Sequence, residues 1–275
     1  MRFGCAGVPV KSADRTTLGG IACAGELGLD AFEMEFVHGC RMKEETAGQA
    51  GEIARKHSIS LSCHGSYYLN LLSPEPEKLE RTKQELLTTG AILTAAGGGR
   101  IAFHSGFYLG MPKEEAFKKM RAVFQELTQE FKDRKYTAIL APELTGKPTQ
   151  FGSLDELWQL VEEIGYDKLR PTIDWSHYHA RDNGFVKGKE EYVKALGLVE
   201  KKGGKKALKS LHCHFQSVKF SIKGELSHLP LSADTPPFRP LAEALKEFEC
   251  DGTIISESPL IEADALEMKS IYASI

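Results

Sequence analysis

Short apolar runs that end in a metal-ligating side chain recur along this chain, and no other feature restricts its fold as strongly. ISLSCHGS carries His64, RIAFHSG carries His104 and TAILAPEL carries Glu143. RPTIDWSHYH brings Asp174 and His177, SLHCHF brings His212 and GTIISES brings Glu257, with His228 in the stretch after the His212 run. In a parallel β/α barrel the carboxyl ends of the strands open onto one shared mouth, so these side chains would meet in one pocket. Imidazole and carboxylate with almost no thiolate is a donor set for zinc or manganese, and an open coordination position suits catalysis.

Strand patterns fall at roughly 2–7, 30–36, 58–63, 100–104, 137–142, 170–174, 209–214 and 252–257, with helical periodicity between them. Pro74 and Pro76 open the helix after the third strand, and Gly97–Gly99 stop it. SLDELWQLVEEIG starts on a capping box, Ser153 to Glu156, and ends on Gly165. Eight strand–helix units predict a single-domain (β/α)8 TIM barrel over residues 1–275, with the active site at the C-terminal strand ends. The longest connections, about 178–190 and 215–235, are expected to be functional loops.

The formal charge of −3 offers no global attraction to nucleic acid, so DNA binding would need a local patch. The lysines at 201, 202, 205, 206 and 209 precede the seventh strand, which puts them at the far mouth as a solvated turn. Six cysteines without a CxxC read as reduced thiols. A strand starting at Arg2 and the lack of a membrane-length apolar run predict a soluble cytoplasmic protein with no membrane partner.

Asp174 and His177 form a D-x-x-H spacing that is weak alone, since both residues could simply cap the next helix. With Glu143 and Glu257 over the same mouth, the negative charge calls for a cation. A hydrogen-bonded polar plug is the bland alternative. His64 and His104, each followed by small residues, suggest more than one ion, with Glu143 as the bridge. His212 and His214 share a strand face, and spacing does not choose the ligand between them. Glu33 and Glu35 also share a face, either toward the metals or in an ion pair with a neighbouring strand, whereas His38, His57 and His179 read as surface or packing residues. Tyr67 and Tyr68, then Phe107 and Tyr108, flank the mouth and could stack on bases or simply pack on the rim. Asn70, Lys147, Gln150, Arg181 and Lys223 are candidate DNA-backbone contacts from the same face.

These residues resemble the endonuclease IV family of zinc-dependent apurinic/apyrimidinic endonucleases, within the xylose isomerase-like barrels, over essentially the whole chain. HGSYYLNL resembles the family's H-D-S-Y-x-x-N-L, which carries over His64 as a ligand and Tyr67 as a DNA contact. FHSG resembles F-H-P-G (His104), and PELTGKPTQFGSLDE carries the bridging Glu143. TIDWSHYHA resembles I-D-x-x-H-x-x-A (Asp174, His177), LHCHF resembles M-H-x-N-D and favours His212, and ISESP carries Glu257. The resemblance implies one zinc on His64, His104 and Glu143, and a second on Glu143, Asp174, His212 and Glu257. A third would sit on His177 with ligands from the loop after the seventh strand. That loop departs from the family's D-x-H: in GELSHLPL, His228 is the replacement ligand and Glu225 the available carboxylate.

The implied activity is incision of damaged double-stranded DNA on the 5′ side of an abasic site, leaving a 3′-hydroxyl, by a monomer holding two or three zinc ions, with manganese as the substitute. Glu143 and Glu257 would be catalytic, Glu143 orienting the nucleophile and Glu257 positioning or deprotonating water. The rival is a sugar isomerase or epimerase with one metal on Glu143, Asp174, a strand-seven histidine and Glu257, which leaves His64, His104 and His228 without metal roles. A noncatalytic barrel is the third possibility, opposed by the intact ligand set.

Overall fold

The computed structural model describes residues 1–275. All eight expected barrel strands form: β1 Arg2–Ala6, β2 Ala31–Glu35, β3 Ser60–His64, β4 Arg100–Phe103, β5 Ile139–Pro142, β6 Thr172–Asp174, β7 Leu211–Phe215 and, last in the chain, β10 Gly252–Ser256. They pair in parallel in the order β5-β4-β3-β2-β1-β10-β7-β6. The ring closes between β5 and β6, where Arg170 N–H donates to Leu140 O at 3.1 Å and Leu144 N–H to Thr172 O at 3.0 Å.

Helices α1 Thr17–Glu26, α2 Glu44–Lys56, α3 Pro76–Ala95, α4 Lys113–Asp133, α5 Leu154–Ile164, α7 Lys189–Leu208 and α8 Phe238–Glu247 link the strands, and α9 Glu262–Ala273 follows the last of them. The Ser153–Glu156 capping box is present at the start of α5, and Pro76 opens α3. Phe3, Phe32, Met34, Leu61 and Cys63 from the strands join Leu86, Leu93 and Phe124 from the helices in one buried cluster. That cluster is the core, lying between sheet and helices. The alternate strand positions turn inward and are polar: Glu33, Ser62, His64, His212 and His214 are all buried. All six cysteines are free, and no helix is long and apolar enough to cross a membrane.

Two elements depart from the expectation. The stretch expected as a loop after β7 is an antiparallel hairpin, β8 Ser217–Ser221 with β9 Gly224–Leu229. Its turn uses Gly224 at φ +96°, and Glu225 N–H ties it to Gly146 O at 3.0 Å. The short helix α6, Trp175–Arg181, starts directly from β6 because the Asp174 carboxylate accepts the N–H groups of Ser176 and His177, each at 2.7 Å. At the far mouth the lysines are solvated and paired, Lys202 with Glu162 and Lys206 with Asp167.

The register between β10 and β7 depends on Gly252, where φ is +143° and a Cβ would meet Leu211 O at 2.1 Å. Gly252→Ala is therefore expected to destabilise the fold by about 2–4 kcal/mol through combined strain and overpacking. Urea denaturation reads this directly, and an unchanged midpoint would show that the two strands do not approach this closely.

Candidate metal centre

The strand ends deliver side chains to one mouth in the way parallel topology demands. His64 ends β3, His104 follows β4, Glu143 follows β5, Asp174 ends β6, His214 lies in β7 and Glu257 follows β10. His177 comes from α6, and Glu225 and His228 from β9. Three groups result at the mouth, each with ligand atoms within 4.8 Å of one another: His64–His104–Glu143, Glu143–Asp174–His214–Glu257 and His177–Glu225–His228, while a fourth, Glu33–His212–His214, lies one step deeper in the barrel. Glu143 belongs to two of them. Its Oε2 is 2.9 Å from His64 Nε2 and 3.3 Å from His104 Nε2, and its Oε1 is 2.9 Å from His177 Nδ1.

The donor atoms fit a divalent cation better than they fit one another. Glu143 Oε1 and His214 Nδ1 are buried with no hydrogen-bond partner, although they stand 3.5 Å apart. His214 Nδ1 is also 3.1 Å from Glu257 without hydrogen-bond geometry. Buried lone pairs that converge without pairing are what a shared zinc-type ion would occupy. Three histidines are also oriented as ligands usually are, with Nδ1 against a backbone carbonyl: His64 on Gly65 at 2.8 Å, His177 on Leu144 at 3.0 Å and His228 on Glu257 at 2.9 Å. Their Nε2 atoms face Glu143 or Glu225.

Without a cation the cluster balances charge with protons. Burial works against the charge on His64, but its hydrogen bond to Glu143 and the nearby Glu35 and Glu257 outweigh this and raise it to about 10. His228 is raised to about 9, with burial again opposing and Glu225 and Glu257 prevailing. Glu143 resists burial because His104 and His214 hold it well below the ordinary carboxylate range. Glu225 is held low in the same way by His177 and His228.

The strand-seven ligand expected from the family pattern needs correction. His214, not His212, reaches Glu143, Asp174 and Glu257. His212 lies one step deeper, its Nε2 hydrogen-bonded to Glu33 at 2.9 Å. Glu33 is an ion-pair residue: it also stands 2.9 Å from His214 Nε2 and accepts from Ser62 at 2.7 Å. It thereby leaves the His214 Nδ1 edge to face the mouth. Glu35, exposed at the end of β2, joins none of the groups. Glu225 does join the third group, 3.1 Å from His177 and 3.2 Å from His228. Gly146 makes this possible, since a Cβ there would lie 2.8 Å from the His177 ring and 2.9 Å from Glu225. Sequence reasoning misses Gln216 altogether. It donates to Asp174 Oδ2 at 3.1 Å and fixes that carboxylate's second oxygen.

A cavity of about 290 Å³ over the groups is lined by Tyr67, Phe107, Lys147 and Gln150 together with His64, His104, His177, Glu225, His228 and Glu257. Through Tyr67 and Phe107 it joins a groove of about 610 Å³ carrying Tyr68, Asn70, Lys78 and Arg81. Tyr67 and Tyr68 are 61% and 76% exposed, too open to be packing residues of the rim. Asn70 lines the groove but spends its carboxamide oxygen on the N–H groups of Leu72 and Phe107. Lys223 sits exposed in the hairpin turn, outside both linings. Arg181 is not available to a phosphate. It is buried and donates to the carbonyls of Thr145, Lys147 and Gln150, bracing the loop after β5. His179 remains a packing residue, pushed down to about 4 by burial and by Lys187.

A sequence model of the xylose isomerase-like TIM barrel family matches residues 21–271. The chain belongs to that family. An uncharacterized protein of Methanocaldococcus jannaschii is 35% identical over 270 residues, spanning 98% of this chain and 96% of the relative. A probable endonuclease 4 of Thermosipho melanesiensis is 29% identical over 199 residues, 68% of either chain. Among solved structures, endonuclease IV from Thermus thermophilus superposes with a TM-score of 0.72 at 18% identity, covering 99% of this chain and 98% of that one. A D-tagatose 3-epimerase-like protein superposes almost as well, at 0.71 and 17%, covering 100% and 96%. At these identities the two structures speak to the fold alone.

Proposed function

We propose that this protein is a metal-dependent phosphodiesterase that incises double-stranded DNA 5′ to an abasic site and leaves a 3′-hydroxyl. The observation that carries the reading is that three ligand groups converge where a one-metal isomerase needs only Glu143, Asp174, His214 and Glu257. A sugar isomerase leaves the His64–His104 pair and the whole His177–Glu225–His228 group without a task. The relatives named endonuclease 4 favour the same reading.

Divalent ions, zinc first, would supply charge neutralisation at the phosphoryl oxygens and activation of water near neutral pH. His64, His104 and Glu143 would hold one, Glu143, Asp174, His214 and Glu257 a second, and His177, Glu225 and His228 a third. Glu143, shared by the first two groups, fixes their spacing. Glu257, which lines the cavity, would orient a water and take its proton. Lys147 and Gln150 face the same cavity and would hold the scissile phosphate in register. The exposed Tyr67 and Tyr68 would wedge into the stack beside the lesion, where no base has to be unpaired.

A duplex oligonucleotide carrying one tetrahydrofuran abasic analogue tests this directly. One cut 5′ to the lesion, lost with chelator and restored by zinc, is the expected result. An intact strand in protein shown to hold its metals would overturn the proposal and favour assay against ketohexoses.

A further inference from the structure

At the other mouth of the barrel, three arginines face a cavity of about 220 Å³ with no acid to balance them. Arg2 opens β1, Arg100 opens β4 and Arg170 lies just before β6. None of them takes part in an ion pair, although many lysines and arginines elsewhere on the surface do. Arg100 has Nη2 donating to Ser210 O at 3.1 Å, while its Nε is buried without any partner. Arg170 is held in place from behind, its Nε donating to Tyr166 O at 3.1 Å and its guanidinium 5.0 Å over the Tyr166 ring. Ser60 and Thr253 add hydroxyls to the same lining.

Like charges gathered at a half-enclosed mouth repel one another unless an anion joins them. Burial, then Arg170 and Arg2, push Arg100 down to about 10, a cost that a bound anion would relieve. The cavity is below the usual size for a drug-like ligand, and guanidinium forks match the oxygens of a tetrahedral dianion. We infer that Arg2, Arg100 and Arg170 form a binding site for a phosphate group, either inorganic phosphate or the phosphate of a small ester, at the barrel mouth opposite the candidate metal centre. The inference is independent of the nuclease reading, since none of the three arginines belongs to that centre; His212, which also lines this cavity, touches the centre only through Glu33.

Calorimetric titration of the metal-loaded protein with inorganic phosphate, and separately with ribose 5-phosphate, tests it. Arg170→Gln should weaken binding at least about tenfold, the size of a lost charge-assisted pair. Arg2→Gln, at an exposed strand start, should weaken it severalfold and serves if the first variant folds poorly. Any phosphate held at the metals is common to all three proteins and cancels in the comparison. Tighter binding of the ester than of free phosphate would assign the site to a phosphorylated metabolite, and the reverse order to the free ion. A crystal soaked in tungstate should show anomalous density between the three guanidinium groups. Equal affinity in all three proteins, or no density at that mouth, would overturn the site.

Discussion

Glu143→Gln is expected to reduce incision at an abasic site by more than about a thousandfold. Loss of a partner that merely orients a metal ligand costs about 10–100-fold, and Glu143 is itself the shared carboxylate. It lies 2.9 Å from His64 and His177, 3.3 Å from His104 and 3.5 Å from His214. The amide keeps the shape but removes the charge, and it turns one oxygen into a donor facing ring nitrogens. The first two ligand groups should fail together, so mass spectrometry of the purified variant should find it depleted in metal. Glu225→Gln is the matched control. It touches the third group alone and should cost one ion with a smaller fall in rate. A Glu143→Gln protein within tenfold of wild type would sink the bridging role.

On the alkaline side, stability should fall with rising pH in the metal-free protein and stay level in the metal-loaded one. In chelator-treated protein, His64 and His228 are raised from 6.5 to about 10 and about 9. Groups raised in the folded state contribute stability that is complete below 6.5 and is lost as pH climbs through 9 to 10. Glu143 and Glu33 are depressed from 4.5, so their contribution is present above that value and is lost on acidification. The metal-free protein is thus most stable in the mildly acidic window between 4.5 and 6.5. Zinc cancels the alkaline loss, because it displaces protons from those histidines, so the loaded and the unfolded states carry equal numbers of protons there above 6.5. Its affinity should rise by about tenfold per pH unit for each proton released. Denaturation of loaded and stripped protein at about pH 6 and about pH 9 shows both slopes. Parallel slopes would mean that His64 and His228 do not exchange protons for metal.

Much of this centre is legible from local pattern, because a parallel barrel converts the last residue of each strand into a wall of one pocket. His64, His104, Glu143, Asp174 and Glu257 needed only that rule, and the capping box at Ser153 needed only its own spacing. The choice of His214 over His212 was beyond it. Both residues point inward and both meet Glu33, and only their depth along β7 decides that His214 also reaches Glu257 while His212 does not. Arg181 shows the complementary limit. A basic residue near the mouth reads as a phosphate contact, yet three carbonyls of the loop after β5 claim it first. The hairpin had a weak signal in the alternation around Val218 and Phe220, masked by the lysines and by a turn without an Asn-Gly pair.

That hairpin divides the centre into parts of unequal permanence. Two ligand groups stand on the closed ring of strands, whose opening requires global unfolding. Glu225 and His228 stand on a two-stranded ribbon added to its rim, and Ile222 and Leu226 of that ribbon are largely exposed. Such appendages open locally at a fraction of the whole domain's free energy. On that principle the amides of Glu225 and His228 are expected to exchange hydrogen sooner than those of the barrel strands, and an ion held by the third group to leave before one held by the other two.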